Sequence, residues 1–176
     1  MSVSRSSWVE DDVMKNILAA LTPVNRLAVI VSLVTGLRIS DVLSIRHSDL
    51  LRERFTVTEQ KTLKKRSIRL PYRLREELLR ISGKVYVFEH RSDPLRTRTR
   101  QAVFKDIKRA AKAFRVSANV STHSARKIYA VAEYKKDMDI KRVQALLNHS
   151  SEAVTMIYAL ADHVTAKRQQ SRRAHN

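Results

Sequence analysis

Two glycines and three prolines in 176 residues leave this chain few places to turn tightly. A β-rich fold needs many such residues, so the chain is expected to be mainly α-helical. The same scarcity argues against a glycine-rich loop that cradles phosphate. One stretch departs from helical periodicity: residues 55–58 and 66–70 read as two short strands around a polar turn. The expected fold class is therefore mainly α with a small antiparallel hairpin. At this length, with 43% hydrophobic residues, one domain with a sizeable core is expected.

Residues 1–7 are small and polar and read as a tail or linker stub, with structure beginning near Trp8. Val13, Ile17, Leu18 and Leu21 fall at helical spacing over 10–20. Thr22-Pro23 then supplies a cap and a first-turn proline for a helix over 24–35 that is apolar on almost every side and stops at Gly36. That helix is expected to be the central buried one. Ser40 is read as the cap of a short helix through Ile45. Further helices are expected over 72–82, 97–114, 122–135, 139–147 and 151–162, followed by a basic, polar stretch to Asn176.

Thirty-five Lys and Arg against 17 Asp and Glu give a net charge of +18, which points to a polyanionic partner. No run approaches the ~20 apolar residues of a spanning helix, and no signal-peptide pattern opens the chain. Cysteine is absent, which removes disulfides, thiolate metal sites and a Cys nucleophile. Residues 61–75 hold Lys61, Lys64, Lys65, Arg66, Arg69, Arg73 and Arg75 with no acid, an unbalanced cluster that suits phosphate contact better than a solvated face. Lys64, Lys65 and Arg66, with Arg98 and Arg100 in the first turn of the 97–114 helix, are the candidate DNA contacts.

Three segments place a cation or proton carrier beside a helix end. In Thr35-Gly-Leu-Arg-Ile-Ser-Asp41, Arg38 follows the capping Gly36, and Asp41 lies one turn on, where it could hold the guanidinium. A buried ion pair bracing the turn is the plain alternative. In Ser121-Thr-His-Ser-Ala-Arg126, His123 and Arg126 share one face of a helix's first turn, which makes a good anion site. In Leu146-Leu-Asn-His149, a histidine closes a helix and Tyr158 follows nine residues later. Taken singly, each is ordinary: a surface pair, a C-cap, a core-edge aromatic like Tyr72, Tyr86, Tyr129 or Tyr134. No His-x-x-x-His pair and no acidic cluster near His123 or His149 suggests a metal site.

Taken in order, Arg38 in TGLRISD, Lys61 in EQKTLKKR, His123 and Arg126 in THSAR, His149 in LLNHSS and Tyr158 in MIY resemble the tyrosine site-specific recombinases (phage integrases) over residues 8–162. Asn148 stands where the family usually has Gly, and it too tolerates the left-handed conformation. The resemblance implies the family's catalytic fold and site-specific DNA recombination, integration or excision, through a 3′-phosphotyrosine. It assigns Tyr158 as nucleophile, Arg38, Arg126 and His149 as phosphate donors, His123 as proton acceptor or positioning group, Lys61 as the acid for the leaving 5′-oxygen, and Asp41 as support. It implies no cofactor. Its partners are double-stranded DNA bearing specific sites and a homotetramer at synapsis, from a protein monomeric alone, with accessory DNA-bending proteins in some members. It places the chain in a prokaryotic cytoplasm, associated with DNA. Residues 163–176 are a candidate for exchange between protomers, with an unstructured tail as the alternative.

The family usually carries a helical DNA-binding domain ahead of the catalytic one, so the chain reads as part of a larger integrase or as a short member of the promoter-inverting kind. Other classes stay open. A non-cutting regulator of the same fold would be marked by loss of a catalytic residue, and none is lost. A type IB topoisomerase fits the length and the His-x-x-Arg box less well. An RNA-binding module lacks a stacking platform, since aromatics are 6% and scattered.

Overall fold

A computed structural model describes Val9 and residues 11–147. In chain order it contains α1 (Asp11–Ala20), α2 (Pro23–Thr35), α3 (Ile39–Leu43), α4 (His47–Leu50), β1 (Phe55–Thr58), β2 (Lys65–Ile68), α5 (Tyr72–Ile81), β3 (Glu89–His90), β4 (Asp93–Thr97), α6 (Arg100–Ala113), α7 (Thr122–Asp137) and α8 (Ile140–Leu146). Two compact units divide it, the first through Tyr129 and the second from Ala130. Among the described residues no helix is long and apolar enough to cross a membrane. The helix expected over 151–162, with His149 and Tyr158, lies outside the described residues.

In the first unit α2 buries Leu27, Ala28, Val29 and Val31, and packs with α1 and α3. Each of the leucine and valine side chains contributes about 1.5–3 kcal/mol on leaving water. Val34, 40% exposed, lies on the outer side of this helix, and Pro23 and Arg26 are exposed as well. Gly36 closes α2 in the left-handed conformation at φ 67°, its N–H donating to Ser32 O at 2.9 Å. The helix start differs from expectation: Thr22 occupies the cap position but makes no side-chain cap bond. Its hydroxyl donates instead to Asp106 Oδ2, 2.9 Å away on α6. Nor does Ser40 cap α3: Arg38 holds the cap position in extended backbone, without a side-chain cap bond, and Ser40 lies inside the helix.

β1 and β2 pair antiparallel, with Phe55 opposite Ile68 and Thr58 opposite Lys65. A second hairpin, β3 with β4, occupies residues where no strand was expected. It delays α6 to Arg100, where the Thr99 hydroxyl caps the helix by accepting from Ala102 N at 3.1 Å. The single turn α4 is also new; the Asp49 carboxylate reaches back to Arg46 N at 2.9 Å.

Asp106 is the polar rivet between α6 and the start of α2. It accepts from Thr22 N, the Thr22 hydroxyl, Asn25 Nδ2 at 2.7 Å, and both Nε and Nη2 of Arg109. Burial alone would raise its pKa, but the bonds from Asn25, Thr22 and Arg109 outweigh it and lower the value to about 2. The fall from 3.8 corresponds to about 2 kcal/mol of stability. That stability is fully present above the unfolded pKa near 4 and is lost as pH falls through 2. Asp106→Asn is expected to lower the urea midpoint at pH 7 and to remove this part of the loss between pH 4 and pH 2. Equal acid sensitivity in both proteins would contradict the assignment.

The second unit is held by charge as well as by apolar side chains. Arg142 bridges Glu133 at 2.9 Å and Asp137 at 2.6 Å, and Lys136 reaches Glu133 at 2.6 Å. Asp139 caps α8 by accepting from the N–H groups of Lys141 and Arg142.

Candidate active site

Two carbonyls at the end of α2 organise the site. A helix C-terminus leaves its last carbonyls unpaired and carries partial negative charge, so cations gather there. Arg66 Nη2 donates to Thr35 O at 2.8 Å, and Arg126 Nη1 to Gly36 O at 2.6 Å. The turn itself is locked from inside: the Ser32 hydroxyl donates to Leu37 O, and Leu37 N to the Thr35 hydroxyl. Leu37 is fully buried, which leaves the backbone of Arg38 a single course into α3.

Arg38 is 8% exposed and its Nη1 donates to Glu59 Oε2 at 2.6 Å. This corrects the expected partner, because Asp41 does not hold the guanidinium. The Asp41 carboxylate, fully buried, instead accepts from Gln60 N at 3.0 Å and so ties α3 to the β1–β2 turn. Burial chiefly, and the nearby Glu59 charge, raise its pKa, while Gln60 N, Arg38 and Arg126 work the other way. Arg66 also differs from expectation: its side chain is 12% exposed and turns inward to Thr35 O and Glu59 rather than outward to a phosphate backbone. Arg98 is half-buried, with Nε bonded to Asn25 Oδ1 at 2.5 Å. Lys61, Lys64, Lys65 and Arg100 are exposed, the lysines on the hairpin and Arg100 at the start of α6.

α7 brings the other pair. Ser121 precedes its first residue and accepts from His123 N at 3.2 Å, while Ser121 N donates to the Ser124 hydroxyl at 3.1 Å, a reciprocal cap. His123 is exposed in the first turn, and Arg126, one turn on, is 5% exposed. Burial, with Arg38 and Arg66 close by, lowers the Arg126 pKa to about 10 against the pull of Glu59 and Asp41. Three arginines thus stand close to two acids. Arg38 Nη2 is buried with no hydrogen-bond partner among the described residues. A buried donor of this kind is costly unless a ligand fills it, and the surplus of positive charge calls for an anion.

Residues 7–164 match the phage integrase family. The chain belongs to that family. It is 31% identical over 137 residues to a probable integrase/recombinase, YoeC, of Bacillus subtilis strain 168, covering 76% of this chain and 75% of that one. The fold is similar to a lambda integrase dimer bound to a core site, with TM-score 0.69 and 26% identity, over 86% of this chain and 60% of that one. The catalytic domain of bacteriophage HP1 integrase matches 89% of each chain with TM-score 0.66, and at 20% identity that likeness speaks for the fold alone. The chain therefore spans less than two thirds of the lambda integrase chain it resembles.

Glu59 is the residue that sequence reasoning missed. A signal was present: Phe55 and Val57 face inward on β1, and Glu59 continues their parity. A carboxylate at an inward position needs a cation, and Arg38 and Arg66 supply two.

Proposed function

We propose that this chain cleaves and rejoins double-stranded DNA at specific sites, with Tyr158 forming a 3′-phosphotyrosine. The observation that carries the reading is the pair of buried arginines, Arg126 held at the end of α2 and Arg38 held by Glu59 with its Nη2 unpartnered among the described residues, in a member of the phage integrase family. A phosphodiester under attack gains charge on its non-bridging oxygens, and fixed guanidinium donors are the means to stabilise it. Arg38 and Arg126 take those oxygens, with His149 as a further donor. Tyr158 must lose a proton whose reference pKa is about 10, and His123 receives or directs it. Lys61 protonates the departing 5′-oxygen, and attack by a 5′-hydroxyl of another strand reverses the step.

The lambda integrase likeness is to a dimer on a core site. By analogy, this chain works as a multimer on DNA, a tetramer when two sites are joined, from a monomer in solution. Residues 163–176 are the segment proposed to pass between protomers, and a prokaryotic cytoplasm is the proposed setting. Lys64, Lys65 and Arg100 are exposed and remain the proposed backbone contacts. Each phosphate they neutralise adds ~0.9 to the salt slope on duplex DNA.

The test is a nicked or half-site duplex incubated with the protein in EDTA and resolved on a denaturing gel. A covalent protein–DNA band is expected, and Tyr158→Phe is expected to lose it while still shifting DNA on a native gel. Binding without a band on any related sequence would favour a non-cutting regulator.

A further inference from the structure

The β1–β2 turn and the α2–α3 turn are joined by two buried acids rather than one. Asp41 holds Gln60 N, and Glu59 holds side chains from three directions. Its Oε2 accepts from Arg38 Nη1 at 2.6 Å and from the Thr62 hydroxyl at 3.2 Å, and its Oε1 from Arg66 Nη1 at 3.4 Å. Its backbone closes the turn as well, donating to Lys64 O at 3.0 Å and accepting from Leu63 N at 2.8 Å. Lys61 sits inside this closed loop, two residues beyond Glu59 and next to Thr62.

We infer that Glu59 is a positioning residue for DNA cleavage: one carboxylate that sets the plane of the Arg38 guanidinium and registers the Lys61 turn against it. The inference rests on the cleavage reading above. The geometry explains why a carboxylate is needed. Anchoring Nη1 on Glu59 leaves Nη2 as the buried donor without a partner among the described residues. A guanidinium is planar and forked, so fixing one nitrogen aims the other. Thr62 on the same oxygen means that the turn and the arginine move together or not at all.

Three variants separate positioning from simple charge balance. Glu59→Gln keeps the shape and removes the charge; at saturating nicked duplex it is expected to cleave about 100-fold more slowly, the scale of a small misplacement of catalytic groups. Its DNA affinity is expected to change by no more than about twofold, because the surface lysines supply that term. Glu59→Gln with Arg66→Gln removes a cation together with the anion, and is expected to recover melting temperature without recovering rate. Thr62→Val keeps both charges and frees only the turn, and is expected to slow cleavage at unchanged melting temperature. If rate returns along with melting temperature in the double variant, or if Glu59→Gln cleaves like the unaltered protein, Glu59 merely balances charge and the inference is overturned.

A readout that needs no cleavage keeps this separate from the function itself. In ¹⁵N spectra of the DNA-free protein, the Arg38 Nη groups are expected to give separate, slowly exchanging signals that merge in Glu59→Gln. If the unaltered protein forms no covalent complex on any duplex, the cleavage reading fails, and separate signals still support the hold of Glu59 on Arg38. Merged signals in both proteins would overturn that hold.

Discussion

Arg126→Met is expected to cut covalent-complex formation by about 10²–10³-fold, the cost of losing one fixed donor to a developing oxyanion, and yet to melt no lower than the unaltered protein. The two halves have different origins. Arg126 is buried beside Arg38 and Arg66, and burial, with their charge, lowers its pKa from the ordinary arginine value to about 10. That depression means the charged form costs the folded state roughly 3 kcal/mol. That cost is net of the bond to Gly36 O, which favours the charged form. A methionine that fills the space removes a buried charge that is a net cost, and should be tolerated. Because the folded pKa lies below the unfolded one, the cost is fully present below pH 10 and fades as pH rises towards the ordinary arginine value. Calorimetry at pH 8 beside the denaturing gel checks both halves. A large fall in melting temperature would make Arg126 a brace of the α2 end rather than a group held against its own stability for function. Arg126→Lys is expected to lose cleavage as well, since an ammonium cannot occupy a carbonyl and a phosphate with one planar fork.

That balance shows what could be read from the chain beforehand. α2 and its glycine stop were legible because a proline start, apolar periodicity and a terminal glycine agree over 23–36. Arg38 and Arg126, picked out by order and spacing rather than by individual type, are both buried and close to Glu59 and Asp41. The partner of Arg38 was not legible. Asp41 was nearer in sequence, but only its Oδ1 is bonded, to Gln60 N, and Arg38 is held instead by Glu59, 21 residues away on the hairpin. Contact of that kind depends on how a hairpin docks, which local spacing does not encode. The inward face of Arg66 had a local signal, since it shares that face of β2 with buried Ile68; what local spacing does not encode is its partner, the carbonyl of Thr35.

The second hairpin was illegible for a different reason. β3 is two residues long with a register irregularity before β4, too short for any period to show. α4, one turn long, is set by a single capping carboxylate. Thr22 was read as a cap because its type and position suit one, and the buried Asp106 carboxylate outcompeted the helix for its hydroxyl.

Gly36→Ala is the substitution expected to damage the fold most per atom added. Gly36 sits at φ 67°, where an L side chain costs about 1–2 kcal/mol. A Cβ there would also lie 2.3 Å from Tyr129 Cδ1 and 2.5 Å from Cε1, inside an aromatic ring that cannot flex away. Forcing the ring aside adds roughly 1–3 kcal/mol, the scale of an overpacked core. At about 2–4 °C per kcal/mol for a chain of this size, the melting temperature is expected to fall by roughly 5–15 °C. Cleavage should fail even where the variant is folded, because displacing Tyr129 disturbs the helix that carries Arg126 on the next turn back. Gly36→Ala combined with Tyr129→Ala separates the two costs. The double variant relieves the ring contact but keeps the left-handed strain, so its coupling, measured against the Tyr129→Ala single, should return the steric part alone. Strict additivity would mean that the ring does not meet the turn, and that the glycine is required for its backbone angle only.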